Sequence, residues 1–127
     1  MSQVPFEKQW LQDGTILCYR LYSTGAATAD EWFNDMMQAY ETWNPNDPIR
    51  ILIDLRDPGS ILSPEAMVRA RELSHAFPEV GGRIALLVDP STSDRNLTMF
   101  LEKALELNQR ERRLFNSEGD ALSWLRD

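Results

Sequence analysis

The residues that could carry chemistry are few, and their spacing restricts what they can do. His75 is the only histidine and Cys18 the only cysteine in a chain of 127 residues. A zinc site needs three or four ligands, which one histidine and one distant cysteine cannot supply. No metal and no cofactor is therefore expected. A Ser-His-Asp arrangement needs a sharply exposed nucleophile, and the sequence has no Gly-x-Ser-x-Gly elbow. His75 reads as a helix-surface residue, and Cys18 as a small core residue in a strand with no adjacent base. Asp54, Asp57 and Asp89 fall at strand ends, where α/β sheets often place ligand sites. Acids there could bind Mg²⁺, but aspartates also form turns, and no glycine-rich phosphate loop follows either buried strand. The expectation is a protein that is not an enzyme.

A different kind of chemistry is suggested by Trp32, Phe33, Met36, Met37, Tyr40 and Trp43. They recur at three- and four-residue steps and so mark one apolar helical face. Core packing accounts for most of such a stripe. Methionine and aromatic side chains are also adaptable, so part of it could line an apolar pocket or a protein-contact surface.

The elements that must position these residues follow from pattern and punctuation. Val4 to Leu11 and Thr15 to Tyr22 flank Asp13-Gly14, a pair that tolerates the positive φ of a tight turn, and so predict a hairpin. Pro5 suits an edge strand. Thr28 and Glu31 have capping-box spacing ahead of the first helix, which Asn44-Pro45-Asn46-Asp47-Pro48 stops. Ile49 to Leu55 is a β-branched run expected of a central strand. Ser63-Pro64-Glu65 opens a second helix with a serine cap, a proline at the first position and an early acid. Ala66, Ala70, Leu73 and Phe77 mark its inner face. Ile84 to Val88 is a second buried strand, and Leu97, Phe100, Leu101, Ala104 and Leu105 lie along a third helix. A short strand around Arg113-Leu114-Phe115 precedes a last helix capped at Ser117. The predicted order is β-β-α-β-α-β-α-β-α over residues 1–127, one mixed α/β sheet with a leading antiparallel hairpin.

Composition narrows the partners. Thirteen Lys and Arg against twenty Asp and Glu give a formal net charge of −7. That field repels phosphates, so neither nucleic acid nor an anionic membrane surface is the expected partner. Arg110, Arg112 and Arg113, interrupted by Glu111, read as a solvated helix end leading into an edge strand. No apolar run approaches the ~20 residues of a membrane-spanning helix. The opening Met1-Ser2-Gln3-Val4-Pro5 lacks a signal-peptide pattern, and the lone cysteine suits a reducing compartment. Cytoplasmic residence is the expectation.

The chain resembles the STAS domains (the sulfate-transporter and anti-sigma-factor-antagonist group), and within them the SpoIIAA-like branch. The resemblance rests on the order of several features along nearly the whole chain. These are Asp13-Gly14-Thr15-Ile16, Thr28-Ala29-Asp30-Glu31, the Ile49-to-Asp54 strand, the Ile84-to-Val88 strand, and Leu114-Phe115 followed by Asp120-Ala121-Leu122-Ser123-Trp124-Leu125. It implies a mixed sheet with helices mainly on one side, no catalytic residues, and action by partner switching under serine or threonine phosphorylation. It also implies, for some members, an apolar ligand. The family's phosphoacceptor lies at the start of the helix after the central strand. Its Asp-Ser-Ser-like setting is absent here, and Ser60 and Ser63 occupy the neighbourhood. A phosphate on Ser63 would be favoured by a helix N-terminus, although serine there is ordinarily a cap. The functional expectation is a regulatory module that binds a protein partner or a second copy of itself. The alternative is a carrier of an apolar small molecule under the first helix.

Overall fold

Alternating apolar residues and one permissive turn dictate the first unit. The structure, a computed structural model, describes residues 6–22, 26–44, 46–56, 64–77, 79–89 and 110–127. Strands β1 (Phe6–Leu11) and β2 (Ile16–Leu21) pair antiparallel along their whole length, with Leu11 opposite Ile16. The turn between them is left-handed at Gln12, Asp13 and Gly14, with φ of 52°, 59° and 83°. The Leu11 carbonyl accepts from the N–H groups of Gly14 and Thr15, each at 3.1 Å. The expected hairpin is present, with Gln12 sharing a bend that Asp and Gly adopt more readily.

Helix α1 (Ala26–Thr42) leads to β3 (Ile49–Asp54), and α2 (Pro64–His75) leads to β4 (Gly82–Leu87). Strand β5 (Arg110–Phe115) then precedes α3 (Glu118–Arg126). The strands lie side by side in chain order, with β1 and β2 antiparallel and every later pairing parallel. This is the mixed α/β architecture that the strand–helix alternation predicts. Val4 and the helix expected around Leu97 to Leu105 lie outside the described residues. Among the described residues no helix is long and apolar enough to cross a membrane.

Three local expectations give way to the structure. Helix α1 begins at Ala26, so Thr28 sits within its first turn and not at a cap. Alanine is the strongest helix former, and the two preceding Thr28 extend the helix backwards. Helix α2 ends at His75, and Phe77 follows in left-handed backbone with φ of 49°. Its ring still packs edge-on against Tyr40, with centroids 6.1 Å apart. Arg110 and Arg112 do not end a helix but belong to β5, paired with Gly82 and Ile84 of β4, while Arg113 lies in the strand expected there and is exposed. Arg112 is buried rather than solvated.

The central strands are apolar on both faces, as parallel strands covered on both sides must be. Leu17, Tyr19, Ile51, Ile53, Ile84 and Leu86 face α1 and α2, with Trp32, Met36, Tyr40 and Leu73 packed on them. Ile16, Cys18, Leu52, Ala85 and Leu87 face the other way, under Ala121 and Leu125 of α3. Burying a leucine such as Leu125 contributes about 1.5–3 kcal/mol. Two described helices therefore cover one face and one covers the other. Arg69 of α2 ties the first pair together, bonding to Asp30 of α1 at 2.8 Å and lying 5.2 Å from the Phe33 ring centre. On the opposite face Arg83 lies 5.0 Å from the Trp124 ring centre and donates to the Trp124 carbonyl at 2.5 Å.

Where β4 begins, the backbone approaches β3 too closely for a side chain. Gly82 has φ of +145°, and a Cβ there would collide with the backbone oxygen and nitrogen of Ile49. Gly82→Ala is expected to lower the urea midpoint by an amount equal to about 2–4 kcal/mol at unchanged slope. A wild-type midpoint would contradict the close approach.

Candidate functional site: a charged cluster at the strand ends

Arginine inside an otherwise apolar strand needs a partner, because an unpaired buried charge is costly. Arg20 in β2 finds it through parallel register, which sets Arg20 directly beside Asp54 at the end of β3. The Arg20 Nη1 donates to Asp54 Oδ2 at 2.6 Å and to Glu118 Oε1 at 3.0 Å. Two residues after Asp54, Arg56 folds back onto the same carboxylate. Its backbone N–H and its Nε donate to Oδ1, both at 3.0 Å, and its Nη2 donates to Oδ2 at 2.9 Å. Glu118 enters from the first turn of α3, which Ser117 caps by accepting from the Asp120 N–H at 3.4 Å. It also accepts from Arg56 Nη2 at 3.4 Å.

Two strands, the exit from β3 and one helix thus converge on a cluster of two guanidinium and two carboxylate groups. Asp54 is only 7% exposed. Burial pushes its carboxyl up, but hydrogen bonds from the Arg56 side chain and backbone, then from Arg20, outweigh burial and hold it below the ordinary range. Hydrogen bonding to Asp54 raises Arg56, so both arginines remain charged. With both carboxylate oxygens occupied, Asp54 has no capacity left to act as a general base. A shallow hollow of about 440 Å³ opens beside the cluster, lined by Arg20, Leu21, Tyr22, Asp54 and Arg56. Tyr22 stands at its rim, partly exposed.

Two buried groups of β2 are suppressed as nucleophiles or acids. Burial, partly opposed by Arg20, pushes the Cys18 thiol up to about 11, which disfavours a nucleophilic thiolate at neutral pH. Burial and a hydrogen bond to Asp35 raise the Tyr19 phenol, whose hydroxyl donates to Asp35 Oδ2 at 2.5 Å. Lys8 pairs with the same oxygen at 3.1 Å. Among the described residues no group of His, Cys, Asp and Glu could hold a metal ion.

The residues singled out on the first helix are divided by the structure. Trp32, Met36 and Tyr40 are buried in the core, and Phe33, Met37 and Trp43 pack half-buried against it. Trp43 reaches the far end of the sheet, where it lines two shallow grooves of about 490 and 630 Å³, the larger shared with Tyr40 and Phe77. Ser60 and Ser63 lie outside the described residues, as does Asp57. Asp54 was visible as a strand-end acid. Arg20, Arg56 and Glu118 were not singled out, although a cation within Ile16-Leu17-Cys18-Tyr19-Arg20-Leu21 is itself a signal that a carboxylate must lie nearby.

A family model described as SpoIIAA-like matches residues 19–126. The chain is also similar in structure to an uncharacterized protein of the DUF3478 family with a SpoIIAA-like fold from Shewanella loihica PV-4. The two share 20% sequence identity and a TM-score of 0.61, over 98% of each chain. At that identity the likeness establishes the fold. No curated protein matches significantly.

The cluster makes stability depend on pH in a defined direction. A carboxyl lowered in the folded state stabilises above its unfolded pKa, about 3.9, and that contribution disappears as pH falls through the folded value. Asp54→Asn is expected to cost about 2 kcal/mol at pH 7, less than a fully buried pair because solvent screens Arg56. The gap to wild type should shrink below pH 4. Denaturation curves that stay parallel down to pH 2 would contradict this.

Proposed function

We propose that this chain, which belongs to the SpoIIAA-like family, acts without catalysis as an interaction module whose partner-facing surface is the charged end of β2 and β3. The observation that carries the reading is the saturated Asp54 cluster. Arginines engage both Asp54 oxygens, which removes that carboxylate from acid–base work and holds the two guanidinium groups at fixed positions. Arg56, with a half-exposed side chain, and Tyr22 are the types of residue that dominate protein interfaces.

The same arrangement suits control by phosphorylation. Arg56 holds Glu118 by its longest hydrogen bond, at 3.4 Å. A phosphate on Ser60, which follows Arg56 closely in the chain, adds charge and acceptor oxygens that compete for that guanidinium. Ser63, directly before α2, is the second candidate acceptor. The burial of Trp32, Met36 and Tyr40 in the core favours the interaction reading over an apolar carrier under α1.

Purified from its own cells and weighed intact under native conditions, the protein is expected in a stoichiometric complex with another protein. Tyr22→Ala should weaken that complex about tenfold or more while leaving thermal unfolding unchanged. Recovery of a bare chain overturns the reading, and an apolar molecule released on denaturation supports a carrier instead. A phosphoryl mass lost in Ser60→Ala or Ser63→Ala would identify the acceptor.

A further inference from the structure

At the opposite side of the sheet from β5, strand β1 has no neighbour among the described residues except β2. The Leu11 carbonyl turns inward, accepting from Gly14 and Thr15. With a period of two, Gln9 and Glu7 also direct their backbone groups at β2, opposite Cys18 and Arg20. The N–H and C=O groups of Lys8 and Trp10 therefore face away from β2, on the side where no described strand lies. Trp10 is 49% exposed even though its ring lies 5.6 Å from that of Trp43. An unpaired strand edge is the template used in strand addition.

We propose that β1 pairs antiparallel with β1 of a second copy of this chain, about a two-fold axis at Gln9. Charge selects this register. A two-fold axis normal to the sheet keeps each face continuous, so residues of equal parity stand opposite one another. An axis at Glu7 sets Glu7 against its own copy, and an axis at Lys8 does the same for Lys8. Like charges directly opposite one another are destabilising. An axis at Trp10 pairs only residues 9–11 within the strand. An axis at Gln9 pairs residues 7–11 with no like charges opposed. Lys8, its ammonium held by Asp35 of its own chain, then stands opposite Trp10, and the outward groups of those two residues exchange the backbone hydrogen bonds. Glu7 stands opposite Leu11, and Gln9 meets Gln9 as the closely spaced, non-hydrogen-bonded pair.

The pairing does not rest on the partner-binding reading of the charged end of β2 and β3, which β1 meets at Glu7, opposite Arg20. So short a ladder is weaker than dimers that bury ~1,000 Å² or more. The net charge of −7 opposes it at low salt, so screening should strengthen it.

Cross-linking tests the register. Gln9 faces Cys18 across the β1–β2 pair, so the experiment uses a Cys18→Ala background. A Cα separation of ~4.5 Å at the axis falls within disulfide range, so Gln9→Cys should form a linked dimer at least ~tenfold faster than Glu7→Cys. Equal rates would overturn the register. In sedimentation, wild type should dimerise with rising concentration and salt. Gln9→Lys should remain monomeric alone and recover dimer when mixed with Gln9→Glu. A wild-type protein that stays monomeric at millimolar concentration would overturn the pairing itself.

Discussion

The carboxylate of Asp54 sits at the buried end of β3 and accepts hydrogen bonds from two arginines that approach along different paths. Arg20 arrives by strand register, and Arg56 by the chain's turn out of the sheet. Through these arginines Glu118 ties the first turn of α3 to the same point. A hairpin strand, a parallel strand and the C-terminal helix therefore share one electrostatic anchor. Removing one partner of a buried pair costs about 3–5 kcal/mol because the other charge is stranded. Here solvent at Arg56 reduces that cost, yet the logic holds for Arg20 within its strand.

The anchor sets what the surface around it can do. A carboxylate whose lone pairs are engaged and whose pKa is lowered does not take protons from a substrate at neutral pH. What it does is fix two guanidinium groups in position. Cations fixed in this way beside an exposed tyrosine have little side-chain entropy left to lose, which is what the proposed partner surface requires. The SpoIIAA-like architecture supplies the scaffold, since the register of β2 against β3 brings Arg20 to Asp54.

Local features were readable before the structure wherever local chemistry decided them. Asp13-Gly14 made the hairpin, Ser117 capped the last helix, and the aliphatic runs became the central strands. The misses arose where distant parts of the chain decided the outcome. Thr28 and Glu31 have the spacing of a cap, but Ala26 and Ala27 carry the helix past it. Arg110 and Arg112 read as a solvated helix end, while pairing with β4 starts the strand at Arg110 and buries Arg112. Asp54 was legible as a strand-end acid, but its partners were not, because they converge on it only through sheet register and the docking of α3. The apolar face of α1 was legible as a stripe; that Trp32, Met36 and Tyr40 would be core depended on the sheet beneath them.

The most direct measurement is a carbon-detected NMR titration of the Asp54 side-chain carboxyl in the intact protein. Arginine hydrogen bonds that outweigh burial require a midpoint below the ordinary aspartate value of about 3.9. A midpoint at or above that value would mean that burial dominates and that the arginines do not hold the carboxylate, and the anchor on which this account rests would be absent.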